Sequence, residues 1–70
     1  MKTFSNMSEV DLKLSKEAYE YYRIQLLKRI VRLEELVAPK HKIEEMKRKV
    51  IRTDELINAI ETELLIQKNQ

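Results

Sequence analysis

The fold is decided by residues 43–64, which have the sequence IEEMKRKVIRTDELINAIETEL. The apolar side chains alternate steps of three and four residues through three heptads, the period of a helix that packs along one face. The series has one polar member and comprises Ile43, Met46, Val50, Thr53, Ile57, Ile60 and Leu64. The pattern predicts one long helix over residues 40–67. A break at Thr53-Asp54 is the alternative, because both residue types can cap a new helix.

A second apolar series with the same spacing precedes this helix. It comprises Leu12, Tyr19, Tyr22, Leu26, Ile30, Leu33 and Val37. Ser8, followed three residues later by the acid Asp11, resembles a capping box and predicts a first helix over residues 8–37. Ser15 is a competing start. Residues 1–7 show no period and are expected to form a flexible arm, and the sequence leaves open whether Phe4 folds back.

Ala38-Pro39 separates the two series. Proline cannot donate a backbone hydrogen bond and disfavours helical backbone at the residue before it, yet it fits the first turn of a new helix. Because the connection is short, the two helices should be antiparallel neighbours. The sequence therefore predicts an all-α fold, an antiparallel two-helix hairpin forming a single domain over residues 8–70. A single kinked helix is the alternative.

The composition leaves oligomerisation or unusually good helix packing as the means of reinforcing a small core. The chain has 70 residues, no cysteine, no glycine and a single histidine. Domains of this size usually need disulfides, a metal, oligomerisation or very good helix packing, and the first two are nearly excluded here. The absence of glycine also disfavours turns that need a positive φ.

A two-helix seam leaves some apolar residues uncovered. The first helix carries Ile24, Leu27 and Val31 beside an exposed Tyr21, and the second carries Ile51, Leu56 and Leu65 outside its main series. Uncovered apolar surface usually marks an interface. The sequence therefore predicts either a homodimer that forms a four-helix bundle or a contact with a different protein.

Basic residues concentrate near the turn. Residues 28–52 hold nine basic and four acidic side chains, whereas residues 53–70 hold one and four. In a hairpin, Lys28, Arg29 and Arg32 would lie opposite the basic stretch 47–52, forming a belt that could contact phosphates or an acidic protein. The alternative is an ordinary solvated surface, with Glu44–Arg48 and Glu45–Lys49 paired at the i,i+4 spacing.

Neither catalysis nor metal binding is expected. The chain lacks a cysteine nucleophile, its serines lie only near the N-terminus, and His41 is not part of a Glu-x-x-His motif. No enzyme activity, cofactor, metal or small-molecule substrate is therefore predicted. No apolar run approaches the roughly 20 residues of a membrane span, and no signal peptide is apparent. A cytoplasmic location is expected.

The leading functional prediction is an adaptor or inhibitor that sterically occupies a partner protein. The residues expected to bind the partner are Tyr21, Ile24, Leu27, Val31, Arg29, Arg32, Arg48 and Arg52. In composition the chain resembles small regulators from phages and mobile elements that block host replication or transcription proteins. One alternative is a dimeric RNA- or DNA-binding hairpin that uses the basic belt. The other is a structural coiled-coil subunit.

Overall fold

Two helices make up most of residues 4–69, the part of the chain that this computed structural model describes. Helix α1 spans Glu9–Glu35 and helix α2 spans Lys40–Lys68. They pack against each other in a body of 50 × 21 × 15 Å. The predicted all-helical hairpin is confirmed, and each helix boundary lies within two residues of its predicted position. Helix α2 runs without interruption through Thr53 and Asp54, so the alternative break there is wrong.

Ser8 caps the start of α1. Its side-chain hydroxyl accepts a hydrogen bond of 3.2 Å from the backbone N–H of Asp11, which satisfies one of the free donors of the first turn. Glu9 and Asp11 place negative charge near the positive end of the helix dipole. The helix therefore begins after Ser8 and not at Ser15.

Helix α1 ends in a Schellman motif that has valine where glycine is usual. The backbone N–H of Val37 donates to the carbonyl of Glu34 at 3.2 Å, and that of Ala38 donates to Leu33 at 2.9 Å. This geometry requires left-handed backbone at Val37, whose φ is 54°. A β-branched residue is a steric outlier in that region. The absence of glycine thus did not prevent a turn with positive φ.

The same turn corrects the predicted core. Val37 was expected to continue the apolar face of α1, but its side chain is 87% exposed. Helix α1 ends at Glu35, and the left-handed backbone at Val37 turns the side chain away from the face that α1 presents to α2.

The hairpin is held by one seam along its length. On α2, every member of the heptad series from Ile43 to Leu64 is buried or half-buried. The hydroxyl of the buried polar member, Thr53, donates a hydrogen bond to the carbonyl of Lys49 at 2.8 Å. The buried hydroxyl is therefore not left without a hydrogen-bond partner. On α1 the seam is formed by Leu12, Tyr19, Arg23, Leu26, Ile30 and Leu33.

Arg23 takes the seam position that the sequence assigned to Tyr22. Tyr22 is 46% exposed, whereas the side chain of Arg23 crosses to α2 and its Nε donates to the carboxylate of Asp54. Seven residues earlier on α1, Lys16 forms a 3.3 Å salt bridge with Glu61, seven residues later on α2. These two charge pairs fix the antiparallel register over one heptad.

Residues 4–7 pack against the open end of the hairpin. Phe4 is 9% exposed and lies in a cluster with Leu12 and Ile60, the two most completely buried side chains. The side-chain amide of Gln67 donates to the carbonyl of Met7 at 2.8 Å. Residues 4–7, which belong to the arm that the sequence predicts to be flexible, thus contact both helices, and Phe4 covers apolar surface that the helix ends leave open. Residues 1–3 lie outside the described residues.

We expect Val37→Gly to stabilise the hairpin. Left-handed backbone costs a non-glycine residue about 1–2 kcal/mol, and glycine would remove this strain. Because glycine also has more conformational freedom in the unfolded chain, part of the gain is offset, and the expected net increase in the free energy of unfolding is about 0.5–1 kcal/mol. Urea unfolding followed by circular dichroism at a fixed chain concentration measures it. The control is Leu36→Gly, where φ is −84° and stability should fall. A loss of stability in Val37→Gly would contradict the strain.

Candidate functional site

One side of the hairpin carries a groove between the two helices. It consists of three adjoining cavities of about 370, 370 and 480 Å³. The first shares Tyr22 and Lys49 with the second, and Met46 with the third. Its floor is built from seam residues and from Leu56, which the sequence placed outside the seam but which packs against the core. The groove therefore has an apolar floor along much of the seam.

The edges of this groove are basic. The three cavities are lined by seven cationic side chains and by one acidic side chain, that of Glu45. The cations are Lys28, Arg29 and Arg32 on α1 and Lys42, Arg48, Lys49 and Arg52 on α2. We call this surface the basic groove. The predicted neighbourhood of Arg29 and Arg32 with the basic stretch of α2 is present, since both share a cavity with Lys49.

None of these seven cations forms a salt bridge within residues 4–69. The salt bridges of that region use Lys13, Lys16, Arg23, Lys40 and Lys47. The pairs Glu44–Arg48 and Glu45–Lys49, on which the solvated-surface alternative depends, are not among them. Glu44 instead lies 4.0 Å from Lys40. The positive charge along the groove is therefore not neutralised by the hairpin itself.

The other side of the hairpin carries matched charges. Lys47, which the sequence placed in the basic belt, lies 3.9 Å from Glu34 across the seam. Two residues along a helix correspond to a rotation of about 200°, so Lys47 faces away from Lys49. Glu34 and Arg32 on α1 are also two residues apart, so they too face different sides of the hairpin. The fold thus separates a self-paired side from a side on which cations are concentrated.

A third surface lies on α1 opposite the seam. Val10, Leu14, Tyr21, Ile24 and Val31 are large apolar side chains that are all exposed. Each is two residues from a seam residue, and the rotation of about 200° places it on the far side of the helix. We call this surface the back of α1. The sequence analysis missed its first two members, although their spacing of four residues continues the apolar pattern of the other three.

The structure divides the predicted partner-binding residues between two surfaces. Arg29, Arg32, Arg48 and Arg52 line the basic groove. Tyr21, Ile24 and Val31 lie on the back of α1, and Leu27 lies exposed at its edge. Residues that are neighbours in sequence therefore project from different sides of one helix, and the residues predicted to bind the partner do not form one continuous surface.

Comparison of the chain with protein-family models, with curated proteins and with solved structures finds no match. Within the described part of the chain, no group of three histidine, cysteine or acidic side chains is placed to hold a metal ion. Neither described helix has an apolar stretch long enough to cross a bilayer. The basic groove and the back of α1 are therefore the two candidate binding surfaces of the hairpin.

We expect Arg29→Glu to stabilise the isolated hairpin, because it places a negative charge among unpaired cations. The expected gain is about 0.2–1 kcal/mol, the range for exposed charge pairs. The matched variant Arg23→Glu makes the same change of charge on the same helix but sets a second acid against Asp54, so it should be destabilising. Urea unfolding of both variants tests this. A destabilising Arg29→Glu would show that the hairpin already compensates the cations of the groove.

Proposed function

We propose that this chain is a non-enzymatic protein-binding hairpin, an adaptor or inhibitor that sterically occupies an acidic site on a partner protein. The observation that carries the proposal is the basic groove, in which seven cations without salt-bridge partners in residues 4–69 surround an apolar floor. Like charges held together raise the local potential and attract acidic surfaces. Partner carboxylates would supply the counter-charges, and partner apolar groups would cover the floor.

The proposal includes a homodimer formed through the back of α1. Five large apolar side chains along one helix face make a self-complementary surface when two copies are related by a twofold axis. Such a dimer has the two α1 helices at its centre and the two α2 helices outside, giving a four-helix assembly. One residue step, about 100°, separates Tyr21 on the back from Tyr22 in the groove. Lys28 lies four residues after Ile24 and three before Val31, at the border between the two surfaces, so the dimer would leave the rest of each groove open.

The compositional resemblance to small phage and mobile-element regulators makes replication and transcription proteins the first partners to screen. Such regulators act in the cytoplasm, and we propose that location for this chain. The proposed mechanism is steric and involves no reaction at the groove. A hairpin 50 Å long, once bound, excludes other proteins from the surface that it covers.

Binding of RNA or DNA is the second candidate, favoured by the same seven cations. A dimer would bring the cations of two grooves into one assembly. Affinity for nucleic acid falls steeply with salt, in proportion to the number of phosphates neutralised. The apolar floor favours a protein partner, because phosphates would contact the cationic edges and leave the floor exposed to water.

We expect Ile24→Glu to convert the dimer to a monomer, because it places a charge at the centre of the proposed contact. Light scattering coupled to gel filtration measures the mass. The control is Ile51→Glu, a change of the same kind at an exposed position on α2, which should leave the mass at two copies. A wild-type chain that is monomeric at about 100 μM would overturn the proposed dimer, since its dissociation constant would then exceed that concentration and the association free energy would be weaker than about 5.5 kcal/mol.

We expect Lys49→Glu to lose the partner while Lys47→Glu keeps it. The two residues are neighbours on α2 and the charge change is identical, but only Lys49 lines the groove. In Lys47→Glu, repulsion between the introduced carboxylate and Glu34 should cost about 1 kcal/mol or less at this exposed position, and circular dichroism verifies that both variants are folded. The measurement is quantitative affinity capture from a nuclease-treated lysate of the source organism.

The expected result is one protein captured by wild type and Lys47→Glu, and at least about tenfold less by Lys49→Glu, a loss of about 1.4 kcal/mol in binding. Equal capture by all three chains, or no capture, would contradict the role of the groove in protein binding. A protein captured from an untreated lysate but not from the nuclease-treated one would favour the nucleic-acid candidate instead.

A further inference from the structure

The floor of the basic groove repeats with a seven-residue period. Tyr19, Leu26 and Leu33 of α1 each line a different one of its three cavities. They are separated by seven residues, which is two helical turns or about 10 Å. The groove therefore offers three apolar recesses in a row over about 20 Å. A ligand that fills all three must present apolar groups at that same repeat.

A helix meets this repeat and an extended segment does not. Apolar residues at heptad positions recur every two turns on one face of a helix, whereas same-face side chains of a strand recur about every 7 Å. A third helix laid along two antiparallel helices also packs in the ordinary way, with axes about 8–10 Å apart. Four turns, about 15 residues, would span the three recesses.

The edges of the groove specify the charge of that helix. Arg29 and Arg32 border the floor on the α1 side, and Lys49 and Arg52 border it on the α2 side. A helix seated on the floor would bring the residues that flank its apolar face within reach of both edges. Aspartate or glutamate at those flanking positions would pair with cations that have no salt bridge in the described chain. Lysine or arginine there would be repelled.

We propose that the basic groove binds an amphipathic acidic helix of a partner protein, with an apolar face about four turns long and acidic residues on both of its borders. This inference rests on the proposed function and adds the form and chemistry of the segment recognised. The bound state is a three-helix arrangement in which the partner helix covers Tyr22, Leu33 and Met46 and neutralises the two edges.

A synthetic fluorescein-labelled helical peptide of about 16 residues tests the proposal, with leucine and isoleucine at the heptad core positions and glutamate at the flanking positions. The full chain is titrated into the peptide and the fluorescence anisotropy is measured. A control peptide has the same composition with its apolar face scrambled. We expect saturable binding of the designed peptide and at least about tenfold weaker binding of the scrambled one.

The variants locate the binding. Lys49→Glu should weaken it at least about tenfold, while Lys47→Glu should change it less than about twofold. Methyl spectra of the wild-type chain should show the Met46 signal shifting on addition of peptide, because that side chain lies on the floor. Peptide binding that shifts Met46 and depends on Lys49 supports the proposal.

Three results would overturn it. They are no binding of the designed peptide at about 1 mM, equal binding of the scrambled peptide, and tighter binding of an RNA or DNA duplex at physiological salt with the same dependence on Lys49. Failure here is distinct from failure of the proposed function. If Lys49-dependent capture of a protein persists while the peptide does not bind, the protein-binding function stands and only the acidic-helix form of the ligand is wrong.

Discussion

The single seam between α1 and α2 is the constraint from which the other features follow. Two helices can cover only one stripe of each other, and in this chain that stripe is completed by Phe4 at the open end and by Thr53, whose hydroxyl is satisfied within its own helix. Within residues 4–69, most of the other apolar and charged side chains face solvent. A thin core of this kind contributes little stability beyond its own entropy cost, so oligomerisation or binding is a physical expectation for the hairpin.

The seam also sorts the charges. Arg23 and Lys16 reach across it to acids on α2, and Lys47 does the same from α2 to α1. In these salt bridges, acidic residues on one side of the hairpin are paired with cations of the same chain. The groove side has a single lining acid, Glu45, against seven cations. The same register that stabilises the fold therefore leaves a concentrated positive charge on one side.

The turn between the helices holds Val37 in an unfavourable left-handed conformation, which the antiparallel arrangement of the helices requires. The Schellman hydrogen bonds at Val37 and Ala38 end α1 one turn before the second helix begins, which lets the two helices return side by side. A valine in left-handed backbone is unfavourable by itself. It is tolerated because the antiparallel seam, formed over the full length of both helices, outweighs the strain of one residue.

By itself, the sequence determined the two helices, the turn at Ala38-Pro39 and the α2 face from Ile43 to Leu64, because periodicity, capping and proline chemistry are local. It also indicated that arginines from both helices would gather near the turn. Only the tertiary structure decided that Arg23 replaces Tyr22 in the seam and that Val37 turns outward, since both depend on what lies across the helix pair or on how the chain reverses. The division of the predicted partner-binding residues between the basic groove and the back of α1 has the same origin. Spacing along one helix shows which residues share a face. Which of those faces is buried and which is exposed depends on where the other helix packs.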